Sequence, residues 1–114
     1  MRTACAIAIA MAAVGCSPAS NVSRDLGARC DVTDDCSERC LPPGEDFPDG
    51  LCTLDCSDDQ ECPAEASCVD REGGVCLFRC SVDTDCTFLG PTWGCKEDNL
   101  RESDNVKVNI CRGD

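Results

Sequence analysis

Histidine and tyrosine are absent from the 114 residues, tryptophan occurs once and phenylalanine three times. Without histidine the usual Ser-His or Cys-His pair of nucleophilic catalysis cannot form, and no serine sits beside an activating lysine or in a nucleophile elbow. No two cysteines stand two residues apart, so zinc knuckles and thioredoxin-like redox motifs are missing as well. The chain therefore reads as a non-enzyme with no cofactor and no metal. Basic residues are scarce: Lys+Arg 10 against Asp+Glu 22 leave a net charge of -12. Such a surface repels phosphate backbones, which excludes nucleic acid as a partner. Apolar residues are short too. Beyond residue 15 there are only 23 that are not cysteine, and the aromatics among them are Phe47, Phe78, Phe88 and Trp93. An acidic chain so poor in apolar surface cannot fold on burial alone. What it has instead is cysteine, 14 in all, and covalent cross-links are expected to supply what a core cannot.

The first of the sequence's signals is its leader. Met1-Arg2 brings one positive charge, and residues 3–14 are an unbroken run of small and apolar residues, too short to span a bilayer. Residues 1–15 are read as a signal peptide. Its end, Ala13-Val14-Gly15-Cys16-Ser17, places small residues before a cysteine and resembles the lipobox of bacterial lipoproteins, with Ala13 where leucine is commoner. The resemblance implies cleavage before Cys16, acylation of its sulfur with palmitate-type chains, and acylation of its amino group. An ordinary signal peptide, cut after Gly15 or after Ala12, is the alternative, and it leads to secretion. Cysteine parity separates the two. Cys5 leaves with the leader and 13 thiols remain, an odd number, whereas lipid on Cys16 leaves 12 that can pair. Two or three acyl chains hold a membrane stably where one does not. Ser17, in place of Asp, favours the outer membrane by the same resemblance, on its periplasmic or cell-surface face. Residues 16–29 are polar and aperiodic and read as a lipid-anchored flexible tether. Asn21-Val22-Ser23 within them is a glycosylation tripeptide of the kind that chance supplies.

From Cys30 the spacing becomes regular. The gaps run Cys30-x5-Cys36-x3-Cys40-x11-Cys52, then Cys56-x5-Cys62-x5-Cys68-x7-Cys76, then Cys80-x5-Cys86-x8-Cys95-x15-Cys111, with three residues at each joint. This is one four-cysteine unit written three times, over residues 30–52, 53–76 and 77–114. Gly50-Leu51-Cys52 parallels Gly74-Val75-Cys76, and the acidic x5 segments parallel one another. The expected fold is small and disulfide-rich: three tandem units, each a short turn plus a small β-hairpin, with little other regular structure. Ser57 and Gln60 have capping-box form, which puts a single helical turn in the x5 segment. Ser67–Val69 and Val75–Leu77 flank a turn-rich linker, and Val106–Ile110 alternates as a strand whose partner lies near Gly94–Lys96 across a long acidic loop. Prolines interrupt the hairpin of unit one.

Four cysteines per unit allow three pairings, hence 27 in total for the chain. The interleaved pattern is the expected one because it ties the x5 turn to both hairpin strands: Cys30–Cys40, Cys36–Cys52, Cys56–Cys68, Cys62–Cys76, Cys80–Cys95 and Cys86–Cys111. Each such bridge contributes about 2–4 kcal/mol in the loop-entropy account, so reduction is expected to unfold the protein. The spacing and the glycine-x-cysteine closures resemble the Dickkopf N-terminal cysteine-rich domain and the cysteine-rich repeat lipoproteins of Gram-negative bacteria. That resemblance implies a disulfide-knotted extracytoplasmic module that binds an unidentified protein or surface ligand, and it implies no catalytic residues.

Three surface features compete for function. The acidic runs Asp31/Asp34/Asp35, Asp58/Asp59/Glu61 and Asp83/Asp85 could gather around calcium in an adhesion module, but no Asp-x-Asp-x-Asp-Gly loop is present and turn capping explains them better. Phe88 and Trp93, in a loop with glycine and proline, are the candidate binding residues, against the reading that Trp93 packs over a disulfide. Residues 42–50 and 88–93 are the loops a secreted or tethered protease inhibitor would present. The terminal Arg112-Gly113-Asp114 is an integrin-type tripeptide of the length that arises by chance.

Overall fold

A computed structural model describes residues 22–113 of the chain. The protein is a small disulfide-rich fold of six short strands, with no α-helix among the described residues: β1 (Arg39–Leu41), β2 (Leu51–Thr53), β3 (Ala66–Val69), β4 (Val75–Phe78), β5 (Trp93–Leu100) and β6 (Ser103–Gly113). Three single 3₁₀ turns, Thr33–Asp35, Asp59–Glu61 and Asp83–Cys86, occupy the three x5 segments. Five residues held between two bridged cysteines have room for one turn and no more. β1 and β2 form a two-stranded antiparallel ribbon, and the other strands form a sheet in the order β4-β3-β5-β6.

The strand register explains the cross-linking. Cys40 lies opposite Cys52, Cys68 opposite Cys76 and Cys95 opposite Cys111, so the third and fourth cysteines of every group are direct neighbours across a hairpin. Directly opposed residues project to the same face of a sheet. Onto that face the 3₁₀ turn is fastened at both ends, through Cys30–Cys40 and Cys36–Cys52, Cys56–Cys68 and Cys62–Cys76, Cys80–Cys95 and Cys86–Cys111. The two bridges of a group run side by side, which brings three of their sulfurs within 4.8 Å of one another in each. Glycine closes the packing. A Cβ on Gly50 would stand 1.9 Å from the carbonyl oxygen of Cys30, and one on Gly74 2.4 Å from that of Cys56, with φ of +75° and +105°. Only a residue without a side chain fits that approach.

The bridges are local to each group, but the packing is shared. One apolar cluster joins Leu26, Leu41, Phe47 and Leu51 to Val69, Val75, Leu77 and Phe78 and to Leu89, Trp93 and Ile110. The three stretches between domain boundaries read from cysteine spacing thus bury their side chains together. Buried Thr53 adds a polar stitch, its hydroxyl donating to the Cys76 carbonyl at 2.6 Å. Sheet edges are covered too: β4 by residues 54–56, through Cys76 N–H to Leu54 O at 3.1 Å and Cys56 N–H to Gly74 O at 3.1 Å, and β6 by Cys80 N–H to Asn109 O at 3.1 Å. Covered edges leave few unpaired backbone groups to recruit another chain.

Three expectations need correction. The tether was expected to reach Arg29, yet residues from Val22 onward are packed on the domain: Leu26 is buried, Gly27 N–H donates to Cys52 O at 2.9 Å and Cys52 N–H to Ala28 O at 2.8 Å. One leucine in a polar stretch, with a glycine at φ +106° beside it, suffices to dock the segment as an outer rung beside β2. The capping box is displaced by one residue, since Asp58 accepts from Gln60 N–H and Glu61, not Gln60, reaches back to the N–H of Ser57. The long acidic loop is largely strand: Glu97, Asp98 and Asn99 pair with Asn109, Val108 and Lys107, and the register slips only between Asn99 and Leu100. Asp98 is drawn inward by two arginines, while Glu97 beside it is exposed and Asn99 is half-buried.

Candidate functional site

The acidic turns are built alike. The carboxylate just before the second cysteine of each group reaches back over the turn: Asp35 accepts from Asp31 N–H at 2.9 Å, Asp85 from Ser81 N–H at 2.8 Å and from Val82 N–H at 3.1 Å, and Glu61 from Ser57 N–H. These backbone hydrogen bonds, first from Asp31 and then Val32, hold Asp35 below the usual carboxylate range, and those from Ser81 and Val82 do the same to Asp85. A second carboxylate caps the third cysteine, Asp59 accepting from Cys68 N–H at 2.8 Å and Asp83 from Cys95 N–H at 2.8 Å. The carboxylates that face inward are thus occupied by the backbone. Among the described residues no three carboxylates bring oxygens within 4.8 Å of one another, and the only such triplets are sulfurs already tied up in bridges. Bridged sulfur is not the thiolate that binds zinc.

Arginine is used inward as well. Arg71 donates to Asp46 at 2.9 Å and Asp98 at 2.8 Å, while Arg112 meets the same two acids at 3.0 and 3.4 Å. The result is a closed ring of two cations and two anions that joins the residue 42–50 loop, the β3–β4 turn and the β5–β6 hairpin. Arg39 pairs with Asp55 at 2.7 Å, Arg101 with Asp70 at 2.6 Å and Arg29 with Asp49 at 3.8 Å. Arg24 donates to the carbonyls of Asp34 and Asp35, and Arg79 to those of Ala64 and Ala66. Every arginine of the described residues therefore has a partner in the chain, and the charge left facing solvent is predominantly acidic.

The structure separates the two candidate binding residues. Trp93 is 2 % exposed, its ring 6.4 Å from that of Phe47 and its indole N–H 3.4 Å from Asp49. It fills the shared core and offers no surface, which corrects its reading as a contact residue. Phe88 is 36 % exposed and meets Phe78 edge to face with centroids 5.0 Å apart. Both candidate inhibitor loops are pinned. Phe47 is buried, its carbonyl accepts from Gly44 and Gly50 at 3.1 and 2.8 Å, and only Pro42, Pro43, Gly44 and Glu45 of that loop are exposed. A shallow groove of about 330 Å³ runs beside them, between Leu41, Phe47 and the acids Glu45, Asp46 and Glu72. Cys16, the lipidation candidate, and the final Asp114 lie outside the described residues. No family of known proteins, no curated protein and no solved structure matches the chain.

Sequence reasoning missed the arginine–aspartate ring and the docking of Leu26. Residues 96–100, Lys-Glu-Asp-Asn-Leu, show no apolar alternation, and the strand that carries Asp98 is set by its pairing with the alternating residues 106–110. Nothing in the spacing announces that Arg71 and Arg112 converge on Asp98.

Proposed function

We propose that the chain is a lipoprotein anchored by acyl chains on Cys16, its domain acting as a disulfide-stabilised binding or structural module at the cell envelope. The observation that carries the reading is cysteine arithmetic completed by geometry. All twelve cysteines from Cys30 to Cys111 pair among themselves, which leaves Cys16 without a partner in the domain. A secreted chain with one surplus thiol at its new N-terminus is poorly suited to an oxidising compartment, whereas a thioether is inert there. Twelve bridged cysteines also call for an extracytoplasmic setting. Ser17 favours the outer membrane.

The test is the intact mass of the mature protein from a Gram-negative host, non-reduced, before and after thiol alkylation. A chain starting at Cys16, heavier by its acyl groups, lighter by 12 hydrogens and inert to the alkylating reagent supports the anchor. An unacylated chain with a reactive thiol overturns it. A second reading, inhibition of proteases, draws on the exposed Pro42–Glu45 stretch held between the Cys40 bridge and buried Phe47. Stoichiometric inhibition of any member of a protease panel, abolished by reduction, would favour it.

A further inference from the structure

The described domain begins at Val22, only six residues after and including Cys16. Six residues span at most about 20 Å when fully extended. A domain of about 90 residues is roughly 25–30 Å across, so a chain leaving one side would need roughly 40 Å or more to pass around it. The tether is too short for that. If Cys16 is held in the lipid interface, the side of the domain carrying Val22 is the side that faces the bilayer.

Two of the exposed apolar side chains of the described residues stand on that side. Val22 is 40 % exposed, and its Cα lies 3.2 Å from where a Cβ of Gly27 would stand. The same point on Gly27 is 3.0 Å from the ring of Phe78, and Phe78 carries Phe88 edge-on against it. Gly27 and Phe78 are themselves buried, so Val22 and Phe88 stand at the surface on either side of them, Phe88 the one aromatic among the large exposed apolar side chains of the described residues. Next to Val22 stand the exposed Arg24 and Asp25, and Arg24 is held by the carbonyls of Asp34 and Asp35, so charged groups rim the two apolar side chains. Two apolar side chains with a charged rim suit the boundary between headgroups and acyl chains, where phenylalanine inserts while the charges stay among the headgroups.

The geometry points to the Val22/Phe88 patch as a membrane-contact surface that seats the domain on the bilayer beside its own anchor. This rests on acylation of Cys16, and the anchor supplies the high local concentration that lets a small patch engage. The consequence is orientation. The β5–β6 hairpin tip, joined to the sheet at Val69–Leu100 and so near the Val75 end of β4 opposite Phe78, is turned toward partners in the aqueous phase.

The experiment uses the mature acylated protein in nanodiscs of phosphatidylethanolamine and phosphatidylcholine, with and without a gadolinium-chelating lipid. Two nuclear magnetic resonance readouts are taken: amide relaxation, and cross-relaxation between the Phe88 ring and lipid acyl methylenes. Amides of Val22, Gly27 and Thr87–Leu89 are expected to relax at least twofold faster than those of Arg101–Ser103, with cross-peaks from the Phe88 ring to lipid. Phe88→Ser and, separately, Val22→Ser are expected to shrink that difference while the Val75 amide shift, at the far end of β4, stays in place. Cross-peaks from Phe88 to water alone, or equal relaxation across an acylated, disc-bound domain, would overturn the contact surface and leave the anchor standing. A protein without acyl mass that elutes apart from the discs would overturn both.

Discussion

Replacing Phe47 by alanine tests whether the three cysteine groups are independent modules or parts of one packed body. Phe47 belongs to the first group by sequence, but its ring lies 6.4 Å from that of Trp93 in the third, inside the cluster that also holds Leu77 and Ile110 of the sheet. It is 5 % exposed, so truncation removes a buried ring and leaves a cavity. Buried phenylalanine to alanine costs about 3–5 kcal/mol, against a typical total of about 5–15 kcal/mol. For a domain of this size each kcal/mol moves Tm by roughly 4–8 °C, so a fall of roughly 15 °C or more is expected by circular dichroism in the non-reduced protein. Hydrogen exchange locates the damage. In a common core, amides of β3, β4 and β6 lose protection together with those of β1 and β2. A Tm lowered by only a few degrees, or protection lost in residues 30–52 alone, would refute the shared core. Phe47→Leu, which keeps most of the volume, should recover more than half of the loss, and a double-mutant cycle with Trp93→Leu should show coupling of about 0.5–1.5 kcal/mol.

Other expectations follow from the same contacts. Gly74→Ala forces a Cβ to 2.4 Å from the Cys56 carbonyl at φ +105°, and should cost more than the roughly 1–2 kcal/mol of the left-handed conformation alone; neighbouring Gly73→Ala, also at positive φ but with nothing within 4 Å, should cost no more than that in the same denaturation assay. Arg71→Ala leaves Asp98, 11 % exposed, with Arg112 as its remaining ring partner, and should lower stability by about 1–3 kcal/mol in urea titration; Arg71→Lys, lacking the fork, should recover only part. The carboxyls of Asp35 and Asp85 are lowered in the folded state, so the unfolded chain binds protons more readily and their support is full above the ordinary value of 3.8 and lost as pH falls through the lowered one. Melting followed from pH 6 to pH 2 should show that loss, and Asp85→Asn should lower Tm at pH 7 while converging with the parent at pH 2.

How much of this was legible beforehand differs from residue to residue. The acid before each second cysteine was visible as a recurrent pair of letters and a single turn was expected from the five-residue segment, but the Ser57–Gln60 pattern points to Gln60 as the cap, and only the structure shows the acid itself reaching back. Gly50 and Gly74 stood out by their place two residues before a cysteine, but only the approach of the Cys30 and Cys56 carbonyls shows why a side chain is excluded there. Trp93, in a loop with glycine and proline, could be read either as a contact residue or as the packed residue of its own unit. Its burial depends on Phe47, 46 residues earlier, and no local pattern connects the two.

The cysteine spacing by itself determined that this chain is a small cross-linked fold with little regular structure, because too few apolar residues remain for any other source of stability and the short x5 segments admit only a turn. Tertiary structure decided the rest. Spacing left 27 pairings open within the units, since closure entropy changes only slowly with loop length. The choice is made by strand register, which sets the third and fourth cysteines side by side on one face and lays the turn across them. The common core and the arginine–aspartate ring arise in the same way, from side chains far apart in sequence whose meeting depends on how the hairpins pack.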